Sequence, residues 1–231
     1  MTDLVSVGAA IAGGVLPALA WLWFWRREDA PHPEPRRLIA LAFLAGMATV
    51  VVAVALEKFV QPYITDQTFL FSTWSLIEEV LKFLAAAIVV LWRKDVDEPI
   101  DAVIYMVTVA LGFAAAENAL FLLSPLAGTT MLQTIMTSNL RFVGATLLHV
   151  LSSAVIGLAL AISFYKTKRT KHLFIIAGVI LASILHATFN FFILNTGEDQ
   201  LLKTFAFVWL GVIALLAALE FVKRIRPSWK R

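Results

Sequence analysis

No cysteine occurs among the 231 residues. That absence excludes disulfides, thiolate metal sites and cysteine nucleophiles. Charge is scarce too. Asp, Glu, Lys and Arg make up 15% of the chain, against about 25% in a soluble domain, while 60% is apolar and the mean hydropathy is +0.84. The net charge is only +3, and the basic residues come in short runs between apolar stretches rather than on one face, so nucleic acid is not an expected partner. There is no internal repeat, glycine-rich phosphate loop, Gly-x-Ser-x-Gly elbow or His-Glu-x-x-His pair.

What remains is a series of apolar runs. A bilayer core of about 30 Å takes roughly 20 residues of helix, and seven stretches qualify: about 4–25, 38–56, 71–92, 100–123, 140–165, 173–194 and 204–222. The chain therefore reads as an all-α, polytopic membrane helix bundle of about seven transmembrane helices, a single domain over 1–231. The first stretch carries Asp3 in place of a basic leader and is followed by Arg26-Arg27, so it is expected to stay as a span. Fifteen of the nineteen Lys and Arg lie in the segments 26–37, 93–94, 166–171 and 223–231, all on one side of such a bundle. The positive-inside rule then places the N-terminus outside and the C-terminus in the cytoplasm of a multi-pass cell-membrane protein. The 26–37 segment, with three prolines and mixed charge, reads as an extended linker.

Ionisable groups within these runs need a reason, because each costs about 2.5–3.5 kcal/mol on insertion scales. Glu78, Glu79 and Lys82 fall in the third run, Glu117 and Asn118 in the fourth, His149 in the fifth with Arg141 near its start, and His186 and Asn190 in the sixth. Counted from the outer ends of the expected spans at about 1.5 Å per residue, Glu78, Glu117, His149 and His186 share a depth of roughly 9–14 Å. One layer shared by four helices points to one site rather than to unrelated packing devices. Lys82 is four residues from Glu78 and three from Glu79, so it can pair with either carboxylate. The two glutamates differ by about 100° of helix rotation, so one of them is expected to point straight into the site. Phe113 and Glu117 stack at i, i+4, as do His186 and Asn190. Asn118 reads as interhelical hydrogen-bonding glue. Arg141 reads as a snorkelling residue or as a holder of Glu117 or a substrate carbonyl. Asp101 and Glu220 read as interfacial, and Ser152 and Ser153 are expected to face away from His149.

Carboxylates, imidazoles and amides without a poised thiol or serine favour hydrolysis by activated water. A glutamate tuned by a second carboxylate and a cation can act as general base. A histidine can orient the water or protonate the leaving amine, and His186 with Asn190 can donate to an oxyanion.

Glu78-Glu79-x-x-Lys82, Phe113-x-x-x-Glu117-Asn118, His149 and His186-x-x-x-Asn190 follow one another on four consecutive runs. This order resembles the PrsW family of intramembrane proteases, related to the CPBP group that includes prenyl-protein endopeptidases. The resemblance covers about 70–195, the expected catalytic core. The prenyl-protease branch has histidine where Glu117 stands, and some relatives have aspartate where Asn190 stands. The resemblance implies an intramembrane endopeptidase with Glu78 and Glu79 as the core catalytic pair, supported by Glu117, His149 and His186. It also implies site-1-type cleavage of a membrane-anchored protein, such as an anti-sigma factor, near the outer face. No cofactor is the preferred reading, with a glutamate activating water directly. Zinc held by Glu78, Glu117, His149 and His186 is the alternative. A proton- or ion-coupled transporter and a non-catalytic receptor with a protease-like fold are the competing classes.

Overall fold

The computed structural model describes residues 4–29, 32–123, 131–195 and 201–225, without the side chains of 4–6, 9, 29, 131–143, 193–195 and 201–205. Its α-helices are α1 (Leu4–Trp25), α2 (Arg36–Val60), α3 (Gln67–Ala86), α4 (Pro99–Leu123), α5 (Met131–Ile162), α6 (Lys168–Asn195) and α7 (Leu201–Val222). There is no strand among the described residues. Each of the seven apolar runs thus becomes helical, the third continuing beyond α3 as a π-helical turn over Ala87–Leu91. Among the described residues, four stretches are long and apolar enough to cross a membrane: α2 with the turn that follows it (Arg36–Tyr63), α4, α5 over Gly144–Ile162, and α6 over Lys168–Phe192.

Helix α4 is the axis of the bundle. Every residue from Pro99 to Ala115 is buried, as expected for a helix apolar all round. Helices α1, α2 and α5 pack around it, α3 bridges α2 and α6, α6 lies on α5, and α7 also packs on α5. The outer faces carry exposed Leu44, Val51, Ile180, Ile184, Phe207 and Ile213. That much apolar surface is costly in water and ordinary against lipid.

Local signals set the helix ends. Asp66 caps α3, its Oδ1 accepting the Phe69 N–H at 2.7 Å. Pro99 opens α4, where a missing N–H is harmless. Asp101 then accepts the backbone N–H of Asp97 at 2.9 Å and of Glu98 at 2.7 Å. Asp101 is buried (2% exposed) at the start of this helix. The 26–37 linker departs from the extended reading: Arg26–Asp29 form a 3₁₀ turn, and Glu34 is buried, accepting the Tyr105 hydroxyl. Glu220 is exposed and pairs with Lys223 at 2.6 Å.

The α2–α4 crossing depends on two glycines. A Cβ on Gly46 would collide with the Val109 carbonyl, and one on Gly112 with the Phe43 carbonyl. Backbone meets backbone there, so neither side can yield by a rotamer change. Gly112→Val is expected to destabilise the bundle by about 1–3 kcal/mol. Thermal unfolding of the purified protein in detergent checks this, and an unchanged midpoint would contradict it.

Candidate active site

Four helices bring the predicted ionisable residues together. From α3, Lys82 Nζ lies 3.2 Å from Glu78 Oε2 and 2.9 Å from Glu79 Oε1. From α5, His149 Nδ1 lies 2.8 Å from the same ammonium. From α4, Glu117 Oε2 is 2.7 Å from His149 Nε2. From α6, His186 Nδ1 is 3.0 Å from Glu79 Oε1. Glu79 and Lys82 have no exposed surface, and Glu78, His149 and His186 are buried. The spacing of the third run accounts for the centre of this network, since i, i+3 and i, i+4 put both carboxylates beside one lysine. The ring of Phe113 explains the residue one turn before Glu117: Lys82 Nζ sits 4.2 Å from its centroid, and its edge meets His149 at 5.3 Å.

The hydrogen-bond pattern assigns the protons of both imidazoles. An ammonium can only donate, so His149 Nδ1 accepts from Lys82 and Nε2–H donates to Glu117. His186 Nδ1–H donates to Glu79, which leaves the Nε2 lone pair free. Both of these nitrogens lie near one carboxylate oxygen: Glu78 Oε2 is 3.7 Å from His149 Nδ1 and 3.9 Å from His186 Nε2. Two carboxylate–histidine pairs thus converge on Glu78.

Both glutamates, not one, enter the cluster, and they differ in role. Glu79 accepts from Lys82, His186, Ser152 at 2.9 Å and Ser153 at 2.7 Å. Three of these donors address Oε1 and Ser153 addresses Oε2. Ser152 and Ser153 therefore face the site, contrary to expectation. They stand three and four residues after His149, which is the same face of a helix.

Two more groups escaped the sequence reading. Glu57, half-buried near the end of α2, repels Glu78 and Glu117 and attracts Lys82. The second run was expected to stop at 56, which left Glu57 just outside it, whereas α2 continues to Val60. Ser75, one turn before Glu79, accepts from Asn190 Nδ2 at 3.4 Å. Asn190 therefore links α6 to α3 beside the cluster. Asn118 donates to Thr146 Oγ1 at 3.1 Å and joins α4 to α5, as glue should. The Arg141 side chain lies outside the described residues. The clustered groups do not line the cleft of about 560 Å³ between α3 and α6, which Phe71, Ser72, Leu76, Ser183, Ile184 and Thr188 help to border.

The donor set also suits a divalent metal. One ligand atom each from Glu78, His149 and His186 lies within 4.8 Å of the others. Two imidazoles and a carboxylate form a familiar catalytic zinc set with an open fourth position. The carboxylates behind the imidazoles, Glu79 and Glu117, are the outer partners such ligands use.

The family model described as "PrsW family intramembrane metalloprotease" matches residues 34–219. The chain belongs to the PrsW family. The Protease PrsW of Geobacillus kaustophilus is 25% identical over 190 residues, covering 80% of this chain and 79% of its own length. That of Bacillus subtilis is 22% identical over 206 residues, with 87% and 91% covered. That of Oceanobacillus iheyensis is 27% identical over 208 residues, with 89% and 92% covered. No solved structure matches the chain. As a PrsW-family protein it is a multi-pass intramembrane peptidase, and its apolar helices agree with that setting.

The central place of Lys82 has a direct test. Lys82→Met would leave two buried carboxylates side by side without their cation. Breaking a buried pair in this way costs about 3–5 kcal/mol. Thermal unfolding should show that loss, and wild-type stability of Lys82→Met would contradict the role of Lys82 as the neutralising centre.

Proposed function

We propose that the chain is a zinc-dependent endopeptidase that hydrolyses a peptide bond of a membrane-anchored protein, with Glu78, His149 and His186 holding the metal. The observation that carries this reading is the convergence of two imidazole nitrogens on one Glu78 oxygen, at 3.7 and 3.9 Å. The family's description as a metalloprotease favours it over the metal-free arrangement preferred on sequence alone. A zinc ion in such a site polarises a carbonyl and lowers the pKa of bound water to near neutrality.

The chain's own residues do the rest. Glu79 and Glu117 each take one imidazole N–H and fix which nitrogen presents its lone pair. Lys82 holds Glu79 in place and offsets the negative charge of the cluster. Its hydrogen bond to His149 Nδ1 has to open when that nitrogen binds metal, and Glu79 keeps the ammonium nearby. Glu117, with its side chain 28% exposed, is the most open member and can receive or return a proton. Asn190 and Arg141 remain proposed helpers at the substrate carbonyl. In the metal-free variant of the scheme Glu78 is the base, since Glu79 is fully buried and engaged by four donors.

The wider setting of the proposal is seven spans with the N-terminus outside, the C-terminus in the cytoplasm and the reaction near the outer face. The skewed distribution of Lys and Arg supports that orientation. The substrate class is a membrane-anchored regulator of the anti-sigma-factor kind, cut in a site-1-like step.

Purified protein in liposomes, offered a panel of single-span membrane proteins, tests the reading. Wild type should cleave at least one of them. Glu78→Gln and His186→Ala should lose that activity by about 100-fold or more, and a zinc chelator should abolish it until zinc is restored. Cleavage that survives in Glu78→Gln would overturn the site assignment. Cleavage that survives the chelator but not Glu78→Gln would replace the zinc reading with the metal-free one.

A further inference from the structure

The two serines of α5 lie outside the Glu, His and Asn constellation that the function uses, yet both are fully buried and both end on one carboxylate. We propose that Ser152 and Ser153 are positioning residues that clamp Glu79, one hydroxyl on each oxygen, and through it set the tautomer of His186. The argument is geometric. Ser152 Oγ is 2.9 Å from Oε1 and Ser153 Oγ is 2.7 Å from Oε2. Lys82 and His186 also approach Oε1. Among the described residues, Oε2 is therefore held by Ser153. Without it the carboxylate could swing about its Cγ–Cδ bond and aim a different oxygen at His186.

A fixed Oε1 is what keeps the imidazole proton on Nδ1, because hydrogen bonds to a carboxylate are roughly twice as strong as neutral ones. The Nε2 lone pair then faces Glu78. Ser152 is the less clean member, since its single hydrogen can also go to the Leu148 carbonyl at 2.9 Å or to that of His149 at 3.3 Å. Helix α5 thus presents the His149 imidazole and the two clamping hydroxyls from one face. The imidazole addresses Glu78 directly, and the hydroxyls act on His186 at second hand.

The test is a double-mutant cycle on the purified full chain in detergent, with two readouts. The first is the His186 tautomer from ¹⁵N imidazole shifts, assigned by the signals lost in His186→Ala. The second is zinc affinity, measured by competition with a chromophoric chelator. Wild type should show the Nδ1–H tautomer. Ser153→Ala should mix the tautomers and weaken zinc binding about 10-fold, and Ser153→Cys, a weaker donor of similar size, should fall in between. In a Glu79→Gln background the same serine change should add less than about twofold, because residues acting through one another are not additive. Wild-type values in Ser153→Ala would overturn the proposal. So would an equal loss with and without Glu79, which is what a merely structural serine predicts. The zinc arm rests on the proposed metal site and the tautomer arm does not. A wild-type protein that binds no zinc but holds one His186 tautomer, lost in Ser153→Ala, would refute the metal reading and uphold the clamp. If Ser153→Ala does not fold, the Ser153→Cys comparison decides in the same way.

Discussion

Buried charges in an apolar bundle need partners, and the carboxylates of α3 in this protein share a single ammonium. Lys82 touches Glu78, Glu79 and His149 and lies over the ring of Phe113. Through those partners it ties α3 to α4 and α5, and Glu79 extends the tie to α6 by way of His186. In a bilayer no water shell is at hand to stabilise a stray carboxylate. The positions of the four helices and the charge balance of the cluster are therefore one problem with one solution. Tight backbone contact at Gly46 and Gly112 brings α2 against α4, and α4 in turn carries Phe113 and Glu117 to the cluster.

The same network sorts equivalent residues into different roles. Glu78 and Glu79 are neighbours in sequence, yet Glu79 is enclosed by four donors while Glu78 lies near two imidazole nitrogens. His149 and His186 arrive from different helices and direct opposite ring nitrogens to different carboxylates, so Nδ1 of one and Nε2 of the other approach Glu78 from two sides. An arrangement that holds each imidazole from behind is what ligand geometry or water activation requires, once the Lys82 bond to His149 Nδ1 opens. Membership of the PrsW family fits a bundle whose chemistry is built in its interior.

Much of this was legible in the sequence because helices impose short, fixed spacings. The Glu-Glu-x-x-Lys run determines the carboxylate–ammonium contacts, and Phe-x-x-x-Glu determines that an aromatic ring sits one turn from Glu117. Long apolar runs gave all seven helices, with the largest departure at the start of α5, which begins at Met131 rather than near 140. Depth counted from that edge was thus less secure than the contacts that now replace it. Ser152 and Ser153 reach the site because i+3 and i+4 share a face with His149, a direction that their adjacency in sequence conceals. Glu57 was hidden by a boundary drawn one residue too early. The burial of Asp101 follows from its hydrogen bonds to two N–H groups at the start of α4, and such a capping role has no hydrophobic signature.

The most direct test of the converging imidazoles is zinc K-edge X-ray absorption on the purified, proteolytically active protein. The expected spectrum shows one zinc per chain with two imidazole nitrogens and carboxylate or water oxygen, at distances of about 2.0–2.2 Å. A spectrum with one imidazole or none, or an active preparation without stoichiometric zinc, would contradict the proposed centre.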